Sequence, residues 1–72
     1  MEVPDAVVAV LEEADEPLHW TVIQDRALRS GKIDPFETRD VRKALLAALH
    51  ALVAEGRVVS TAKGVYAPTQ GR

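Results

Sequence analysis

The sequence predicts a mainly α domain closed by a small β hairpin, and three observations point to it. Apolar residues recur at helical spacing in two stretches, around Val7-Val10-Leu11 and around Leu45-Leu49-Leu52. After Gly56 the pattern changes to two short β-prone runs, Val58-Val59 and Val65-Tyr66-Ala67, separated by Ala62-Lys63-Gly64. Between these regions Pro17, Gly31 and Pro35 interrupt the chain where helices end and turns begin.

Helix one is expected over residues 4–14, with Val7, Val10, Leu11 and Ala14 on one face, Pro4 suited to the first turn and Asp5 near the positive end of the helix dipole. Glu16-Pro17 stops it, because a residue before proline is pushed out of the helical region. Leu18-His19-Trp20 is apolar enough for a short extended segment, with His19 capping backbone beside Trp20. Helix two is expected over 21–30, where Thr21-Val22-Ile23-Gln24 fits a capping box. Ile23, Ala27 and Leu28 face inward, and Gly31 suits the left-handed C-terminal position.

Asp34-Pro35 signals a turn, with Ile33 and Phe36 expected to plug the core. Thr38 is then expected to cap helix three, over 39–55, whose buried stripe is Val41, Ala44, Leu45, Ala48, Leu49 and Leu52 and which Gly56 closes. Val8 and Leu46 fall outside the apolar stripes and are read as exposed. Trp20 and Tyr66 are read as core and hairpin packing. The whole chain of 72 residues is read as one domain, with its core over about 4–68 and a frayed tail at 69–72.

Composition sets the class. Hydrophobic residues make up 47% and charged residues 28%, the balance of a globular chain that folds. There is no cysteine, hence no disulfide staple and no thiolate metal site, and His19 and His50 have no third ligand beside them. No metal and no cofactor are expected. No apolar run reaches a membrane span and the N-terminus carries no basic leader, so the expected location is the cytoplasm, away from membranes. Neither a phosphate loop nor a nucleophile elbow nor paired carboxylates are present, so the chain is not expected to be an enzyme.

Charge is distributed unevenly. All seven acidic residues before position 26 precede the first base, Arg26; from there on nine bases face four acids, and the net charge is −2. Binding responds to local potential, screened beyond about 8–10 Å in physiological salt, so a small net charge leaves room for a basic face. The element order, α-β-α-α-β-β, is that of a winged helix-turn-helix. In such folds the start of the third helix meets base edges in the major groove. Arg39, Arg42 and Lys43 cluster there, with Leu46 and His50 further along the same face and no acid between Val41 and Ala54. Thr38 stands at the head of this face. Arg26 and Arg29 on helix two, Lys32 in the turn, and Arg57 and Lys63 on the hairpin are candidate phosphate contacts.

Pro17-Leu18-His19-Trp20, then Ile23, Ala27-Leu28 and Gly31, the capping Thr38, and Gly64-Val65-Tyr66-Ala67 together resemble the HARE-HTH family over roughly residues 6–67. The resemblance implies a winged helix-turn-helix that links DNA-associated proteins to their template. One member is a domain of a bacterial RNA polymerase subunit, which implies RNA polymerase as a protein partner. The expected function is therefore double-stranded DNA binding in transcription, with helix three in the groove and the hairpin on phosphates. The alternative is a protein-interaction module that docks on the transcription or replication machinery through the acidic helix one, at Glu12, Glu13, Asp15 and Glu16. Pairing into a homodimer, through Val8 or Leu46, is compatible with either.

Overall fold

In chain order the elements are helix α1 (Val3–Ala14), strand β1 (Leu18–His19), helices α2 (Trp20–Arg29) and α3 (Val41–Ala54), and strands β2 (Val58–Ala62) and β3 (Val65–Pro68). They come from a computed structural model that describes residues 2–69. Three helices therefore accompany a three-stranded antiparallel sheet, ordered β1-β3-β2. The hairpin expected from the sequence is β2-β3, and β1 adds a third strand on the far side of β3. Leu18 pairs with Tyr66 and His19 with Val65, whereas Val59 pairs with Ala67 and Ser60 with Tyr66. The β2-β3 register is interrupted between Ser60 and Ala62, the position of a bulge.

Local chemistry explains each helix end. Pro4 lies in the first turn of α1, and the helix stops when Asp15 enters the left-handed region (φ 57°) while its N–H still donates to the Leu11 carbonyl at 3.1 Å. Helix α2 begins one residue earlier than expected. Its N-cap is His19, whose Nδ1 accepts the Thr21 N–H at 3.2 Å and lies 2.8 Å from Thr21 Oγ1. Thr21 is thus not the cap: His19 is held extended by its strand pairing, so the helix starts at once and Thr21 is already helical. At the other end Gly31 is left-handed (φ 77°), as expected from the sequence.

Helix α3 is also capped differently. Asp40, not Thr38, is the N-cap, and its Oδ1 accepts the Lys43 N–H at 3.0 Å. A carboxylate gives a charge-assisted bond and favours the positive helix end, advantages that a hydroxyl lacks. Thr38 instead belongs to the preceding turn, where the Asp34 carbonyl accepts the N–H groups of Glu37 (3.1 Å) and Thr38 (3.0 Å) and Asp34 Oδ1 accepts that of Phe36 (2.8 Å). This turn carries Phe36 at its tip, 96% exposed, so Phe36 does not plug the core. Ile33 does, at 1% exposure.

The core joins Val7, Val10 and Leu11 of α1, Ile23 and Ala27 of α2, Leu45, Leu49 and Leu52 of α3, Leu18 of β1 and Val58 of β2. Each buried Leu or Ile removed from water contributes roughly 1.5–3 kcal/mol before entropy is counted. Val8 and Leu46, expected outside, are partly buried against this cluster, as are Trp20 and Tyr66. The apolar stripes on α1 and α3 are simply wider than a single row, because neighbouring elements wrap their flanks.

Thr69, placed by the sequence in a frayed tail, is anchored: its Oγ1 donates to the Gly56 carbonyl at 2.6 Å and its N–H to that of Arg57 at 3.2 Å. The rest of that expected tail, 70–72, lies outside the described residues. Among those described, no helix is long and apolar enough to cross a membrane.

Candidate nucleic-acid interface

Around the start of α3 three bases, Arg39, Arg42 and Lys43, fall within five residues. Arg42 and Lys43 occupy the first turn of α3, both exposed, and Arg39 stands just before the N-cap Asp40, exposed. Because Arg39 is not helical, the helical spacing that linked it to Lys43 does not apply; Arg39 lies two residues ahead of the helix. Arg42, Lys43, Leu46 and Asp40 line one open cleft. Asp40 brings a negative charge into this group, and one of its oxygens is already engaged by the helix N-terminus. His50 stands further along α3 and lines a separate depression with Val53, Ala54, Ser60 and Tyr66, between the helix and the hairpin.

By their ion pairs the candidate cations divide into two groups. Arg29 Nε lies 3.1 Å from the Asp25 carboxylate, one helical turn away. Lys32 Nζ lies 3.2 Å from Glu13 Oε2 and is largely covered, its side chain 19% exposed, so it ties the end of α2 to α1. Arg57 is 3.8 Å from Glu55. These three have part of their charge offset by a carboxylate. Arg26, Arg39, Arg42, Lys43 and Lys63 make no ion pair among the described residues. Lys63 sits in the β2-β3 turn, exposed.

One relationship was not visible from sequence. The Arg42 guanidinium carbon lies over the Trp20 ring, 5.8 Å from its centroid, within the range of a cation–π contact. Trp20 opens α2, its backbone N–H donates to the Gly64 carbonyl at 2.9 Å, and its ring lies 5.7 Å from that of His19. Gly64 is left-handed (φ 75°) and packs so closely that a Cβ there would stand 2.9 Å from His19 Nε2 and 3.5 Å from Trp20 Cδ1. The hairpin turn, the start of α2 and the start of α3 therefore meet around one indole. Arg42 and Trp20 are distant in the chain and belong to different elements, so no local pattern announces them.

Among the described residues no group of three His, Cys, Asp or Glu side chains is gathered to hold a metal ion. No family model, curated protein or solved structure matches the chain.

Proposed function

We propose that this chain is a winged helix-turn-helix domain that binds double-stranded DNA in the cytoplasm, in a transcriptional role, without performing a reaction. The observation that carries the reading is the cluster of Arg39, Arg42 and Lys43 at the head of α3, free of ion pairs among the described residues. In this reading α3 enters the major groove with Arg42 and Lys43 leading. Lys63 on the hairpin and Arg26 on α2 meet phosphates, which orient the domain without reading sequence. The resemblance to the HARE-HTH family supports the same reading. Arg29, Lys32 and Arg57 contribute less, since each already faces a carboxylate.

A fluorescence anisotropy titration of a labelled duplex tests it. Arg39→Ala with Arg42→Ala is expected to weaken binding and to flatten the salt dependence by about 0.9 in log–log slope for each phosphate no longer neutralised. Unchanged affinity and slope would show the assigned face to be wrong.

A second reading, docking on a protein such as RNA polymerase, is favoured by the exposure of Phe36. It projects from a turn carrying Asp34 and Glu37, and Glu37 and Thr38 share a depression with Glu2, Val3 and Pro4 at the start of the acidic α1. An exposed aromatic in an acidic setting suits a basic protein surface better than DNA. On that reading the chain has no measurable duplex affinity at about 0.1 M salt.

A further inference from the structure

We propose that Trp20 is a positioning residue for Arg42, holding its guanidinium in place before DNA arrives; the inference rests on the duplex-binding reading. Three observations carry it. The first is the contact itself, with the guanidinium carbon 5.8 Å from the indole centroid. The second is that Trp20 is itself seated in the fold: it is half-buried against the core, its backbone N–H is bonded to the Gly64 carbonyl, and the His19 ring lies beside its own. The third is the kind of contact. Arg29 is held by a carboxylate that occupies its Nε–H, whereas a cation–π contact occupies none of the five guanidinium N–H donors.

A long, flexible arginine loses rotamer freedom when it binds a phosphate or a guanine edge, and that loss weakens the complex. An arginine already resting on a rigid ring loses less and still presents its donors. The hairpin turn that carries Lys63 is fastened to the backbone of Trp20, since the Gly64 carbonyl accepts its backbone N–H. Trp20 thus joins the interface without touching DNA.

The test is a double-mutant cycle in duplex affinity on the full chain, using a fluorescein-labelled mixed-sequence duplex. The variants are Trp20→Leu, Arg42→Ala and the pair, with Trp20→Phe as the conservative replacement and thermal melting as the check on folding. Trp20→Leu is expected to weaken binding roughly two- to five-fold, the range of an exposed cation–π contact. It should have no further effect once Arg42 is gone, and Trp20→Phe should recover part of the loss. Equal effects of Trp20→Leu in both backgrounds would make Trp20 merely structural and overturn the inference alone.

Trp20 is the only tryptophan, so its emission gives a second readout that leaves the ring in place should Trp20→Leu fail to fold. Emission should change in Arg42→Ala, and its response to duplex should be lost there. An Arg42→Ala spectrum and response identical to those of the parent would overturn the inference. A parent chain that binds no duplex would remove the DNA-binding reading and the positioning role together.

Discussion

The carbonyl of Gly64 accepts the backbone N–H of Trp20 at 2.9 Å, fastening the hairpin turn to the first turn of α2. The close approach beside this bond makes Gly64 the least replaceable of the described glycines. Gly31 has the same backbone handedness, φ 77° against 75°, but open space where a Cβ would stand. Gly31→Ala should therefore cost about 1–2 kcal/mol from conformation alone. Gly64→Ala should cost about 1 kcal/mol more, because the methyl meets His19. Adding His19→Ala to Gly64→Ala should relieve the clash and leave the conformational part. Urea unfolding measures all three, and equal losses at the two glycines would refute the steric account.

The cap of α3 separates Asp40 from Thr38. Asp40→Ala should lower stability by about 1 kcal/mol, whereas Thr38→Ala should stay within about 0.5 kcal/mol of the parent. A chain this size should lose about 4–8 °C in Tm for each kcal/mol. Asp40→Asn keeps an acceptor for the Lys43 N–H while removing the carboxylate beside Arg42 and Lys43. It should hold the Tm nearly constant and tighten duplex binding at low salt, in contrast to the loss of stability in Asp40→Ala.

Phe36 and Leu49 are expected to behave as opposites although both are large and apolar. Leu49 is fully buried, and Leu49→Ala should cost about 2–5 kcal/mol. Phe36→Ser should leave the melting temperature unchanged, corresponding to less than about 0.5 kcal/mol. A large loss in Phe36→Ser would mean that the aromatic packs inward after all.

Lys32 and Arg39 should differ in their effect on DNA binding. Lys32 is paired with Glu13 and mostly covered, so Lys32→Met should keep its stem packed, lose under about 1 kcal/mol of stability, and change duplex affinity little. Arg39→Ala should weaken the duplex complex with no effect on melting. Titrations and melts of the two variants side by side give the comparison.

Legibility in the sequence followed the range of the forces involved. The helical stripes of Val7, Val10, Leu11 and of Leu45, Leu49, Leu52 were readable, since burial periodicity is written in consecutive residues. So were the helix-ending glycines, Gly31 and Gly56, both left-handed. The capping of backbone by His19 is legible, and His19 is the N-cap of α2. Thr21 and Thr38, which have suitable side chains, are not caps: the pairing of His19 with Val65 and the turn around Asp34 decide where each helix begins. The hydrophobicity of Phe36 points inward, but the short turn around Asp34 carries it to the surface. For the candidate interface, the basic cluster was visible as composition. The carboxylate partners of Lys32 and Arg57 and the ring beneath Arg42 depend on tertiary or turn geometry, and single-sequence patterns do not encode them.

The strand order β1-β3-β2 places the last strand between the other two. Vectorial synthesis then has a consequence: as the chain leaves the ribosome, helices can form while Leu18 and His19 wait without a pairing partner, and β2 waits beside an empty lane. Only when Val65–Pro68 emerge can both edges zip onto them. Completion of the fold is thereby coupled to completion of this stretch of chain, so a nascent chain truncated before Val65 would lack the sheet and expose itself to quality control.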